Sequence, residues 1–259
     1  MNKSVVIDYL PESVSRYPPD WAIVVVDVIR ATTTAITAVA AGRRCFTAPN
    51  VETARSLAQN VDGALLAGES GGELPPGFEV DNSPAQLAGR KDTYRPLILV
   101  SSSGTKAIHE AAGRDAVYLS CFRNYSALSE YLAGCHSRVA VIGAGTKGEF
   151  REEDQICCGW IAGALVRKGY APDNRQTVSF VERWRDAPPS ACLCSRSVAF
   201  LRRTGRLNDL NFILEHVDDL HAVFPVQQGE VKMLSTTYGF EGLFPGNQRQ
   251  LPSWIEPGA

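Results

Sequence analysis

The chain has 259 residues, 44% of them hydrophobic and 21% charged, and its 26 basic and 28 acidic side chains give a formal charge of −2. That length buries a substantial core as one large α/β domain or as two closely packed lobes, and the composition excludes a disordered or low-complexity chain. The balanced charge excludes the strong positive field of a nucleic-acid binder, and no stretch reaches the roughly 18 uninterrupted apolar residues of a membrane span.

The chain opens on MNKSVVIDYLPES, where residues 4–8 read as a strand that Pro11 ends. Asp8 interrupts its apolar run, so it lacks the core of a signal peptide. Seven cysteines, an odd number without a C-x-x-C pair, suggest neither a zinc site nor a disulfide framework. These features together predict a cytoplasmic protein with small core thiols.

Residues 22–27, AIVVVD, form the second expected strand, and it runs into Asp27, then Arg30, then Thr32 to Thr34 at the start of an alanine-rich helix over 31–41. A helix cap accounts for Asp27 or Thr32 but not for an arginine beside them, so this strand end is a position for chemistry. A strand over 44–48 and a helix over 51–59 follow, and then a strand over 64–69 that ends on Glu69. The long segment after it carries a Gly-Gly pair, a Pro-Pro turn and Asp81-Asn82-Ser83-Pro84; its length marks it as functional, although Gly, Pro, Asp and Asn are also ordinary turn residues.

Strand 96–101 passes through three serines and Gly104 to Thr105 and Lys106, then into a helix over 105–112. Gly104 permits close backbone approach and the helix start offers free N–H groups to an anion, which together resemble a phosphate cradle without being a Walker A loop. Next come a strand over 116–120, a helix over 125–133 and a strand over 138–143. Gly143, Gly145 and Gly148 then show G-x-G-x-x-G spacing, but Glu149, Glu152, Glu153 and Asp154 crowd the place a dinucleotide pyrophosphate would occupy. Carboxylates suit a phosphate that arrives with a divalent cation, because Mg2+ takes hard oxygen ligands. A helix over 152–168, a strand over 177–181 (TVSFV) and helices over 196–203 and 209–216 complete the reading. Apolar strands alternating with helices predict a three-layer α/β/α fold on a mostly parallel sheet, with the ligand crevice at the carboxyl ends of the strands.

Taken in order, DVIRATTTAITA, GESGGELPPGFEVDNSP, SSSGT and GAGTKGEFREEDQICCG resemble the 2-phosphosulfolactate phosphatase family, also called the ComB family, over about residues 3 to 230. The third motif departs from the usual Thr-Asn-Gly-Thr of relatives, with Ser102-Ser103-Gly104-Thr105 in its place. The resemblance implies Mg2+-dependent hydrolysis of the phosphate ester of 2-phospho-3-sulfolactate to sulfolactate and phosphate, a step of coenzyme M biosynthesis where that pathway exists. Residues 231–259 lie outside it and read as a C-terminal extension.

On this reading Asp27, Glu69 and Asp154, with Glu153, gather around one Mg2+. Asp27, Arg30 and Lys106 are the candidate catalytic residues. Thr32, Thr33, Asn82, Ser83, Ser103, Gly104, Thr105 and Gly145 are the candidate substrate contacts. Whether Asp27 attacks phosphorus or a water does so stays open, since the D-x-D-x-[TV] signature of aspartyl-phosphate enzymes is missing, with Ile29 at its third position. The expected partner is a small anionic phosphorylated substrate, with no nucleic acid and no membrane, and a homo-oligomer is compatible with the reading. Two other classes remain as alternatives: an NAD-binding oxidoreductase using the 143–148 glycine loop, and a non-catalytic anion-binding protein.

Overall fold

The computed structural model describes residues 3–146 and 148–235. Strands and helices alternate as β1 (Ser4–Tyr9), β2 (Ala22–Val26), α1 (Ala31–Ala40), β3 (Cys45–Ala48), α2 (Val51–Ala58), β4 (Leu65–Gly68), α3 (Pro84–Ala88), β5 (Leu97–Val100), α4 (Gly104–Glu110), β6 (Val117–Ser120), α5 (Tyr125–Cys135), β7 (Arg138–Gly143) and α6 (Glu152–Arg167). After them come β8 (Ala171–Pro172), α7 (Arg175–Trp184), α8 (Arg196–Arg203), α9 (Leu207–Glu215), β9 (Ala222–Gln227), β10 (Glu230–Val231) and β11 (Leu234–Ser235), with 3-10 turns at Pro11–Arg16 and Pro189–Cys194.

The strands form one sheet in the order β4-β5-β3-β10-β9-β6-β2-β7-β1-β8, with β11 paired to β9. Its two ends are parallel groups, β4-β5-β3 and β6-β2-β7-β1-β8, and the antiparallel β9 and β10 join them. The fold is therefore the expected three-layer α/β/α arrangement on a mostly parallel sheet.

Every residue of β2 is buried, because both faces of the strand are covered. Val24 and Val26 point to one face and pack with α5, α6 and α7 through Leu128, Ile156, Trp160 and Trp184. Ile23 and Val25 point to the other and pack with α1 and α4 through Ala35, Ile36, Ala107 and Ile108. Alternation along a single strand thus feeds two separate cores. A smaller third cluster sits under α2, around Ala54, Phe78, Ile98 and Val100.

Helix α1 is buried from Ala31 to Val39 and meets strands of both parallel groups, β3 and β5 on one side and β6 on the other. Only small side chains allow a helix to be enclosed in this way, and its sequence, ATTTAITAVA, supplies them. The threonine hydroxyls return to the backbone: Thr33 donates to Val28 O at 2.8 Å and Thr34 to Arg30 O at 2.9 Å. Burial of these polar groups therefore leaves no hydroxyl unpaired there.

The structure corrects the sequence reading at 177–181, which is not a strand but the middle of α7. Thr177, Val181 and Trp184 recur at helical spacing and are its buried residues, while Asn174 caps the helix by accepting from Thr177 N at 2.7 Å. A β-branched run of five residues matches either period, and the cap decides it. The Thr177 hydroxyl in turn accepts the Ile7 N–H at 2.8 Å, completing β1 beyond the short pairing with β8. The sheet also continues past residue 230, since Val231 pairs with Cys45 and Val226, and Leu234 with Val223. Residues 236–259, the rest of the expected extension, lie outside the described residues.

Close packing of α6 on α7 rests on two glycines. A methyl on Gly159 would stand 2.6 Å from Trp184 Cβ, and one on Gly163 would stand 2.8 Å from Arg185 Cβ. Gly159→Ala is therefore expected to lower stability by about 1–3 kcal/mol despite alanine's better helix propensity. Denaturant unfolding of the variant checks this, and an unchanged midpoint would show that the two helices can part at no cost.

Candidate active site

Beyond the carboxyl ends of β2, β4, β5 and β7, Asp27, Glu69, Gly104, Glu153 and Asp154 lie near one another, whereas several of the other expected residues are engaged elsewhere. Residues 27 and 104 follow strands that are five steps apart in the sheet order. A flat sheet would separate those strands by about 24 Å. A methyl on Gly104 would nevertheless lie 2.4 Å from Asp27 Oδ2 and 2.6 Å from Ala31 Cβ. The sheet therefore bends around α1, and the β5–α4 turn closes onto the end of β2.

Asp27 is buried and its Oδ1 accepts the Ala31 N–H at 3.2 Å. Its backbone is pinned by Thr32, whose hydroxyl accepts from Asp27 N at 3.0 Å and donates to Asp27 O at 2.8 Å and Ser120 O at 2.7 Å. Burial pushes the Asp27 carboxyl up to about 7; the negative charges of Glu69 and Glu153 add to the rise, while the Ala31 N–H and Arg30 oppose it. Thr32 and Thr33, expected at the substrate, spend their hydroxyls on the backbone of this turn and are fully buried.

Glu69 is held by Ser102, whose N–H donates to Oε1 at 2.7 Å and whose hydroxyl donates to Oε2 at 2.9 Å; Gly72 N also donates to Oε2, at 2.7 Å. The β4 end and the β5–α4 turn are thereby clamped together. Asp154 Oδ1 accepts from Val28 N at 2.8 Å, and the Gly145 N–H also reaches this carboxyl. Asp154 thus ties the turn after β2 to the turn after β7, and burial with the neighbouring charges of Asp27 and Glu153 holds its proton affinity well above the usual aspartate range. Glu153 is buried beside the hydroxyls of Ser195 and Ser197, raised by burial, and its Oε2 has no hydrogen-bond partner.

Two expected cations are engaged elsewhere. Arg30 grips Asp81 through Nη1 at 3.1 Å and Nη2 at 3.3 Å and donates from Nη1 to Asp209 Oδ2 at 2.7 Å. Its guanidinium is thus held by two carboxylates and not left open for a substrate oxyanion. Lys106 forms an exposed pair with Glu12 at 2.9 Å. Ser83 donates to Asp209 Oδ1 at 2.5 Å and caps α3 by accepting from Gln86 N at 3.2 Å. Thr105 exchanges bonds with Ser101, each near 2.9 Å, which shapes the turn and leaves Ser103 as the half-buried residue at the start of α4. Asn82 is buried with an unpartnered Oδ1, the second orphan acceptor of the region after Glu153.

The glycine loop has its own explanation. A methyl on Gly143 would lie 2.2 Å from the Phe150 ring, which stacks on Tyr9, and Gly145 adopts φ +61° in a turn closed by Thr146 and Glu149. Sequence reasoning missed Asp81, Asp209 and Arg206 as site residues. Asp81 stands within the second motif and reads as turn chemistry, while Asp209 opens the expected 209–216 helix and Arg206 stands just before it, where no chemistry-bearing pattern marks either.

A mostly parallel sheet whose strand ends collect buried carboxylates, a contact glycine and paired arginines defines an α/β enzyme with its crevice beyond the strands. The family model for 2-phosphosulpholactate phosphatase matches residues 8–230, and the chain belongs to that family. A probable 2-phosphosulfolactate phosphatase of Carboxydothermus hydrogenoformans is 33% identical over 186 residues, 71% of this chain and 77% of the relative. One from Deinococcus radiodurans is 32% identical over 211 residues, 80% and 86% of the two chains, and one from Thermus thermophilus is 30% identical over 230 residues, 87% and 94%. No helix among the described residues is long and apolar enough to cross a membrane.

The raised Asp27 carboxyl sets a pH dependence. Its folded proton affinity exceeds that of the unfolded chain, so its contribution to stability is full below about pH 4 and is lost as pH rises through about 7. Asp27→Asn removes the charge and keeps an acceptor for Ala31 N–H. It is expected to stabilise the metal-free protein at pH 8 by up to about 4 kcal/mol and to do little at pH 4. Unfolding titrations at the two pH values test this; equal effects at both would show that Asp27 is not protonated in the fold.

Proposed function

We propose that the chain is a Mg2+-dependent phosphatase of the cytoplasm that hydrolyses the phosphate ester of 2-phospho-3-sulfolactate, or of a related small phospho-acid, to the 2-hydroxy acid and phosphate. The observation that carries the reading is the meeting of Asp27, Glu69, Glu153 and Asp154 beside Gly104, with burial opposing the ionisation of Asp27, Glu153 and Asp154. The names of the relatives supply the substrate, and seven free thiols suit a reducing compartment.

The donor set fits Mg2+. Carboxylate oxygens are its preferred protein ligands, one of them, Glu153 Oε2, is buried and unpartnered, and Arg30, whose charge opposes the rise at Asp27, is already bonded to Asp81 and Asp209. Among the described residues no three acidic, histidine or cysteine side chains already form a ready-made metal cage. An ion held here would therefore bind through one or two of these carboxylates and fill the rest of its shell with waters and a substrate phosphate. Asp27 with Glu69 or Glu153 would hold it, with Asp154 adding charge while it fixes the two turns. When bound, Mg2+ supplies charge neutralisation at the phosphoryl oxygens.

Phosphate-monoester hydrolysis needs on the order of 20 kcal/mol of barrier lowering, most of it from positioning and electrostatics. Gly104 brings backbone against the Asp27 carboxyl, so a phosphoryl group resting on the α4 turn would be within reach of it. Ser103 offers its hydroxyl at that turn, and Asn82 offers an unpaired acceptor for a proton on substrate or water. Asp27, with a proton affinity near neutrality, suits either attack or proton transfer. Arg30 contributes by fixing the start of α1, and Lys106 by its position in the first turn of α4. The dinucleotide reading has less support, because Phe150 covers Gly143 where a pyrophosphate would approach.

Phosphate release from 2-phosphosulfolactate is expected with Mg2+, to stop with a chelator and to return on adding Mg2+ back. Asp27→Asn should lower kcat by about 100-fold or more. Turnover that survives the chelator would refute the metal dependence, and binding without turnover would make the chain an anion-binding protein.

A further inference from the structure

Four charged side chains, two of each sign, meet beside the proposed crevice and are not equal in exposure. Arg30, Asp81 and Asp209 have side chains 4%, 11% and 4% exposed, whereas that of Arg206 is 23% exposed. Arg30 divides its bonds between the two aspartates, so its charge is consumed inside the protein. Arg206, the residue just before α9, shares only Asp81, to which its Nε donates. Its Nη2 donates to Gly72 O at 3.4 Å, and its guanidinium lies 5.5 Å from the Phe200 ring centre. Those bonds use Nε and one edge of Nη2, which leaves the Nη1 end of the fork outside them.

The location of Gly72 gives that free end its meaning. Its N–H donates to Glu69 Oε2 at 2.7 Å, and the Glu69 charge is felt at Asp27. Arg206 therefore bonds to a residue of the clamp that reaches the acids of the crevice. Phe200 packs beneath Gly72, where a methyl would lie 3.0 Å from Cζ, and so backs both the loop and the guanidinium. A part-exposed guanidinium fixed at Nε by Asp81 and backed by Phe200, with no bond at Nη1 among the described residues, has the geometry to pair with an oxyanion.

We infer that Arg206 is a specificity-determining residue that binds the carboxylate or sulfonate of the substrate, at the end away from the ester phosphate. This rests on the phosphatase reading above, because it supposes a substrate with an anionic group besides its phosphate. The assignment adds a role to the 196–215 region, which already supplies Asp209 to Arg30 and Ser83. The two arginines then differ in what they do, since the buried one sets geometry and the half-open one selects.

The test compares wild type with Arg206→Met and Arg206→Lys on 2-phosphosulfolactate and on 2-phospholactate, which keeps the carboxylate and lacks the sulfonate. Binding of the product analogue 3-sulfolactate is measured by calorimetry alongside. Arg206→Met is expected to raise KM for 2-phosphosulfolactate about tenfold or more with kcat within about threefold, and to weaken 3-sulfolactate binding to match, while Arg206→Lys restores part of both. A KM penalty that disappears with 2-phospholactate assigns the contact to the sulfonate, and one that persists assigns it to the carboxylate. Unchanged KM and 3-sulfolactate affinity, or a fall in kcat alone with matching loss of thermal stability, would overturn the inference. If wild type turns over neither ester, the phosphatase reading falls, and the 3-sulfolactate titration still decides whether Arg206 binds an anion.

Discussion

Asp27 and residue 104 share a space that admits only one side chain. Any Cβ at 104 would press within 2.4 Å of the Asp27 carboxylate oxygen and 2.6 Å of the Ala31 methyl. Because residue 104 is glycine, the start of α4 can close on the end of β2, and the two parallel groups of the sheet can bend around α1. That closure brings the β5–α4 turn against the end of β2. Without it Glu69, which is clamped to Ser102 of the same turn, would lie on a different part of the surface from Asp27 and Asp154.

The site is organised in two electrostatic layers. Its inner layer is a set of acids whose burial works against their own ionisation and raises their affinity for protons. Around that layer the positive charges are already matched: Arg30 by Asp81 and Asp209, Lys106 by Glu12, and Arg151 by Glu149. The buried acids thus crowd one another, while these cations are paired with carboxylates of their own. That arrangement explains why a count of charges in the sequence, nearly balanced, says nothing about the local field.

Hydroxyl-rich motifs proved to have two different uses. Thr32, Thr33 and Thr105 are fully buried and bond to backbone, so they shape the turns on which the reactive groups stand. Ser102 and Ser103 remain at the surface of the crevice, the first holding Glu69 and the second open at the start of α4. In one dimension these residues are indistinguishable, since each is a short hydroxyl near a strand end. Burial separates them, and burial depends on what packs from outside the motif. The glycine loop taught the same lesson, as Gly143 is fitted against Phe150 seven residues on.

The strands from β1 to β7, the helices that follow them except α3, and the gathering of polar residues at strand ends could be read from the sequence; α3 lies in a segment that reads as a loop. Each of these features follows from local rules: period-two or continuous apolar runs for strands, and polar residues placed where such a run stops. Other features were decided only by the tertiary structure. TVSFV became a helix because Asn174 capped it and Trp184 extended its buried face. Arg30 became a buried strut because Asp209, 179 positions away, met it. Short strands near 222–235 joined the two halves of the sheet because their edges found β3 and β6. For the strut and the joining strands the deciding partner is distant along the chain, and a contact that closes a long loop leaves no trace in the pattern of its neighbours.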